Sequence, residues 1–242
     1  TSSLFARVTN HSGGFMLGPW INSGALLLGG ACGALLGKVI PKRVKEALPL
    51  SCGIISASMG SVTMNKVHTI PPVAMAMLTG AFIGEILLLE KRLEQTISWL
   101  QARISKGSSA KLPQGFVLKF VTILVLFCVS GMGIFGSMQE GISGDPTILI
   151  TKSILDLFTA VIFATDLGLS VMLIAIPQIV IQSTLFFAAV LLLPLITPSM
   201  QADFSACGGI VMLATGLRIC GIKIFPIVNM LPSLLIVMPV SA

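Results

Sequence analysis

From Thr147 to Ile196 the chain runs through fifty positions with only three charged residues, Lys152, Asp156 and Asp166. A helix crossing the hydrocarbon core of a bilayer needs about 20 predominantly apolar residues, so this run alone is long enough for two crossings. Shorter runs of the same kind recur along the 242 residues, which are 55% apolar and 10% charged, with a mean hydropathy of +0.99. A soluble domain carries about a quarter of its residues as charges. The runs also lack the apolar–polar alternation of barrel strands. The expected fold is therefore all-α, a polytopic bundle of transmembrane helices.

Eight spans are expected, over 16–37, 47–65, 70–89, 117–138, 147–168, 171–197, 205–222 and 224–241. Between the third and fourth, Leu89, Leu93, Ile97, Leu100 and Ile104 recur at helical spacing and define an amphipathic helix. It reads as a helix lying on the membrane surface or, the preferred alternative, as an extension of the third span into the cytoplasm; it ends in the loop "SKGSSAKLPQG", so that 90–114 is a cytoplasmic helix and loop. Residues 1–14 are polar and lack the apolar stretch of a signal peptide. They are read as a tail or tag remnant, which leaves 15–242 as one membrane domain.

The net charge of +6 reads as a topology signal rather than as a nucleic-acid footprint. Lys38, Lys42, Arg43 and Lys45 follow the first span, Lys91, Arg92, Arg103, Lys106 and Lys111 follow the third, and Arg218 and Lys223 flank the seventh. All fall on one side if both termini lie on the other, where Glu140, Asp145, Asp203 and Lys66 are expected in loops. Cytoplasmic loops are the basic ones, so the expectation is a bacterial inner-membrane protein with periplasmic termini. The five cysteines lie in apolar segments with no C-x-x-C, and His11 and His68 are far apart. Neither a metal site, a redox motif nor a cofactor is expected, and no nucleophile–base pair marks an enzyme.

The two ends of the chain resemble each other. "INSGALLLGG" (21–30) aligns with "IQSTLFFAAV" (181–190), and 52–72 aligns with 208–228, setting Gly60 against Gly216. Spans one to three then correspond to six to eight with inverted topology, an arrangement found in many transporters, with substrate sites near the midplane.

A charge at the bilayer centre costs roughly 2.5–3.5 kcal/mol on insertion scales, so Lys152 and Asp156 require a reason. At i and i+4 they share a helix face and read either as a structural ion pair or as an ion site, with Ser153 adding an oxygen. Asp145 reads as a helix N-cap or as the acidic collar of a cation path. Asn22 and Gln182 stand at matching repeat positions, Asn229 lies in the last span and Glu85 near the cytoplasmic end of the third. Gly29, Gly33 and Gly37, with Gly80 and Gly84, form G-x-x-x-G faces for packing within the chain or between subunits of a homo-oligomer. The glycines of "SGMGIFGSMQEG" (130–141) are expected to unwind the fourth span.

The segment "VLFCVSGMGIFGSMQEGISGDPTILITKSILD" (125–156), with "FMLGPWINSGALLLGGACGALLG", "LTGAFIGEILLLEKRLE" and "ATGLRICGIKIFPIVNMLPSLLI", resembles the YqgA-like family of bacterial inner-membrane proteins. The likeness extends over 16–242 and implies a multi-pass membrane protein of unassigned function. The family motif falls here on Gly144, Asp145, Lys152, Ser153 and Asp156. The functional expectation is an ion- or proton-coupled carrier of a small solute in the lipid bilayer. The alternatives are a passive pore or a structural or accessory membrane protein.

Overall fold

The computed structural model describes residues 16–36, 40–107 and 114–242. The expected N-terminal tail, Gly37 and most of the expected polar loop lie outside them. Among the described residues the secondary structure is helical throughout. In chain order the helices are α1 (Leu17–Leu36), α2 (Lys42–Met64), α3 (Ile70–Ile86), α4 (Leu89–Gly107), α5 (Gln114–Cys128) and α6 (Gly131–Ser143). They continue as α7 (Thr147–Leu167), α8 (Ala175–Leu192), α9 (Pro198–Ile219), α10 (Ile227–Met230) and α11 (Pro232–Val240).

Among the described residues, five helical runs are long and apolar enough to cross a membrane, and a sixth forms if the bent pair α3–α4 is taken as one. One of the five is the 49-residue run Thr147–Leu195, which cannot be straight. Gln178 Nε2 donates to Asp156 Oδ2 at 2.9 Å, whereas 22 residues of straight helix span about 33 Å. The chain reverses at Gly168, whose φ of 61° favours glycine, and a 3-10 turn over Gly168–Ile174 leads into α8. The last expected span is the shorter apolar stretch Ile227–Val240, broken into α10 and α11.

Close helix packing occurs where side chains vanish. α1 runs parallel to α7, Gly29 lying against Leu157 and Gly33 against Val161; a Cβ on Gly29 would sit 2.5 Å from the Leu157 carbonyl oxygen. α2 crosses α9 antiparallel, Gly60 against Gly209 and Gly53 against Gly216, and a Cβ on Gly60 would meet Leu213 N at 2.5 Å. Between these glycines Ser56 Oγ donates to the Met212 carbonyl at 3.2 Å. Gly80 and Gly84 face Ser233 and Asn229. The described G-x-x-x-G faces are thus occupied within the chain, the first of the two uses open to them.

The third span does not extend straight into α4. The axis bends by 47° at Leu87–Leu88, and Leu88 takes a φ of 52°, a left-handed conformation costly for leucine. The fourth span breaks ahead of its glycines rather than through them. α5 stops at Cys128, Ser130 caps α6, and residues 131–143 are regular helix. Glycine permits a break, but a side-chain acceptor that satisfies the next helix's free N–H groups locates it. α6 then ends on Gly144, with φ 73°.

Basic side chains gather at one end of the bundle. Lys45 bonds Thr165, Lys45 and Lys119 flank Asp166 at 3.6 and 3.1 Å, and Arg218 pairs with Glu90.

An intramembrane charge pair at the end of a cavity

Lys152 and Asp156 project from α7 at i and i+4, their side chains only 3% and 11% exposed. The Lys152 ammonium donates to Asp156 Oδ2, which also accepts from Gln178 Nε2 on α8. Lys152 Nζ lies 5.9 Å from the centroid of the Phe127 ring on α5, within cation–π range. Asn22 of α1 lies beside the same carboxylate without reaching full hydrogen-bond geometry, and its oxygen has no partner. Gln178 Oε1, both polar atoms of Gln182 and Ser23 Oγ are likewise buried and unpartnered. Ser153 turns back on its own helix and donates to the Leu149 carbonyl at 2.7 Å. The pair therefore borders a buried cluster of amides supplied by α1 and α8, a chamber filled by its own side chains.

On the other side of the pair lies the break in the fourth span. Gly133 N donates to Ser130 Oγ at 3.0 Å. The N–H groups that open α6 have no acceptor within the helix and carry the positive end of its dipole. Gly133 packs directly on the site: a Cβ there would lie 2.9 Å from Lys152 Cε and 3.5 Å from Gln182 Nε2. A cavity of about 490 Å³ begins at Ser130–Met132, Lys152 and Asp156 and reaches Glu90, Glu94 and Arg218 at the basic end. Phe127, Leu155 and Phe163 give it apolar walls, while Cys52 and Thr159, 3.9 Å apart, add polar atoms.

At the basic end Arg218 donates to Glu90 Oε1 at 2.5 Å and to the Phe225 carbonyl at 2.8 Å. Glu90 Oε2 accepts from Val228 N at 3.0 Å. Asn229 Oδ1 accepts from Glu90 N at 2.8 Å, and its Nδ2 donates to Glu85. This network fixes the start of α4 against α9 and α10.

Of the residues singled out from the sequence, Lys152, Asp156, Asn22 and Gln182 converge on the chamber, while Ser153, next to Lys152 in the chain, bonds its own helix. Asn229 and Glu85 meet each other at the basic end instead, and Glu85 is exposed. Asp145 is exposed at the opposite end, where its Oδ1 accepts from Thr147 N and Oγ1. These bonds hold its carboxyl below the usual carboxylate range and close an Asx turn just ahead of α7, whose N-cap position falls on Pro146 and not on the expected Asp145.

Two acids expected in loops are buried in helices. Glu140 Oε1 accepts from Leu17 N at 2.9 Å and Gly18 N at 3.0 Å, capping α1. Asp203 Oδ1 accepts from His68 N and Thr69 N at 2.8 and 2.9 Å, capping α3. Both satisfy helix N-termini that lack acceptors of their own, over more than 120 residues of sequence. Sequence reading also missed Gln178, Ser23 and the Glu90–Arg218 pair. Gln178 carried a signal, since it stands one turn before Gln182 on a helix whose other polar residues are Ser183 and Thr184.

The architecture and its buried charges define a polytopic α-helical membrane protein. The chain belongs to the family described as "Protein of unknown function (DUF554)", whose model matches residues 17–242. It is 51% identical over 227 residues to "Uncharacterized protein YqgA" of Escherichia coli (strain K12), a match covering 94% of this chain and 97% of that protein. It is 27% identical over 225 residues to "Uncharacterized membrane protein YdfK" of Bacillus subtilis (strain 168), covering 91% and 93%. No solved structure matches it.

Proposed function

We propose that this chain is a secondary transporter of the bacterial inner membrane, an ion- or proton-coupled carrier of a small solute. The observation that carries this reading is the cavity joining a buried Lys152–Asp156 pair, at a broken helix, to the basic end of the bundle. Burying two charges costs several kcal/mol per ion before their attraction is counted, and a purely structural pair gains nothing from a solvent path. Basic residues mark the cytoplasmic side, so the cavity faces inward and both termini are periplasmic.

The crossing of α2 and α9 supports an inverted repeat. Gly53 and Gly209, Ser56 and Met212, and Gly60 and Gly216 are each separated by 156 positions. In space Gly53 meets Gly216, Gly60 meets Gly209, and Ser56 bonds Met212. These reciprocal contacts are what a two-fold axis in the membrane plane produces. Asn22 and Gln182, matched in the repeat, both belong to the amide chamber. Together with the break in the fourth span, these features support a carrier, in which discontinuous helices surround the substrate site.

The test is flux into proteoliposomes under imposed proton and sodium gradients, comparing the wild type with Asp156→Asn. Saturable, gradient-driven flux lost in the variant is the expected result. Non-saturating flux would indicate a pore, and no flux from folded wild-type protein under either gradient would overturn the reading.

A further inference from the structure

We propose that the amide chamber behind the charge pair binds a small monovalent cation of the sodium class, ligated by Asp156 and by side-chain oxygens of Asn22, Gln178 and Gln182, with Lys152 as its tethered competitor. The role of this site in coupling rests on the carrier reading above; its existence as a cation site does not.

The observations come from the chamber itself. Asn22, Gln178 and Gln182 are at most 1% exposed, and each holds a carbonyl oxygen with no partner. An unsatisfied buried polar group is costly, and here three amides gather about one buried charge pair, Asn22 and Gln178 at Asp156 and Gln182 beside Gly133 and Lys152. Hard cations take oxygen ligands, amide carbonyls and carboxylates among them, and an Asn or Gln side chain can turn either end toward a ligand. The site already holds one positive charge, the Lys152 ammonium on Asp156 Oδ2. A single carboxylate balances one monovalent cation, not a divalent one. An anion entering the chamber would meet Asp156 directly.

Cation and ammonium compete for the same carboxylate. Lys152 has somewhere to go, because its Nζ already lies 5.9 Å from the Phe127 ring, and Phe127 lines the cavity. The α6 N-terminus, packed on Lys152 through Gly133, presents a positive dipole end that weakens the hold on the ammonium. Cation entry therefore moves a charged side chain from the chamber toward the cavity, coupling occupancy of one to the other.

The experiment is thermal unfolding of the purified, detergent-solubilised full chain at constant ionic strength, with sodium chloride replaced stepwise by choline chloride and, separately, by sodium gluconate. A ligand bound only by the folded state raises the midpoint with the logarithm of its concentration. The expected result is a saturable, sodium-dependent rise in the wild type, with the half-maximal concentration lowered at least tenfold in Lys152→Gln. The rise is lost in the charge-neutral double variant Lys152→Gln/Asp156→Asn, which leaves no unpaired charge to compromise folding. A wild type and a Lys152→Gln that both ignore sodium would overturn the proposal, as would a shift that follows chloride. Sodium-blind unfolding with intact proton-driven flux overturns this site alone. A sodium shift without flux overturns the carrier reading alone.

Discussion

Two of the polar clusters in this apolar bundle are built in opposite ways. At the basic end, both Glu90 oxygens, its backbone N–H, the Arg218 guanidinium and both ends of the Asn229 amide have partners. In the middle of the bundle, Asn22, Ser23, Gln178 and Gln182 leave six buried polar atoms with none. A satisfied network fixes one arrangement and acts as a clamp. An unsatisfied one that faces a charge and adjoins a cavity is arranged for something else to bind. The contrast separates residues that hold α4 in place from residues that the proposed carrier would use.

The sharpest way to break this contrast is to remove one charge from the middle cluster. Asp156→Ala leaves a buried ammonium unpaired and is expected to cost about 3–5 kcal/mol, read by reversible unfolding in mixed micelles. The double variant Lys152→Met/Asp156→Leu is expected to recover most of that loss, because apolar replacements of a buried pair are neutral or stabilising.

Amide-to-leucine substitutions compare the clusters directly. Asn229→Leu strips Glu90 N of its acceptor and is expected to destabilise by about 1–2 kcal/mol. Gln182→Leu removes atoms that have no partner, so without added sodium it is expected to be neutral or to stabilise by up to about 1 kcal/mol. A large loss from Gln182→Leu, measured in the same unfolding assay, would show that the chamber is a clamp as well.

Leu88→Gly addresses the hinge between the clamp and the third span. Relief of a left-handed leucine is expected to raise stability by about 1 kcal/mol, seen as a higher unfolding midpoint. The smallest effect lies at the opposite end, where Asp145→Ala is expected to cost about 0.5–1 kcal/mol through the lost bonds to Thr147. The Asp145 carboxyl titrates below its usual range when folded. Its contribution is therefore present above the unfolded value and lost as pH falls through the folded one. A pH series on wild type and Asp145→Ala should converge at the acid end.

The parts of the site that could be read from the sequence were the local ones. Lys152 and Asp156 stand one turn apart, and that spacing alone places them together on a helix. Asn22 and Gln182 emerged from the match between the two ends of the chain. Glu140 and Asp203 were misplaced because acids near span ends look like loop residues, whereas each caps a helix contributed by a remote segment. The helix break fell at Ser130 rather than among the glycines that follow, because an acceptor side chain, not flexibility, satisfies the exposed N–H groups of α6.

The sequence by itself determined that this chain is a bundle of apolar helices, which ends are basic and where glycines let helices touch. Those properties depend on side-chain chemistry and on periodicity along one segment. Only the tertiary structure decided that α8 folds back to bring Gln178 onto Asp156, that Asn229 belongs to a clamp and not to the chamber, and that a cavity links the two. Hydrogen-bond satisfaction is settled by atoms far apart in the chain, so neither composition nor spacing distinguishes a partnered amide from an unpartnered one.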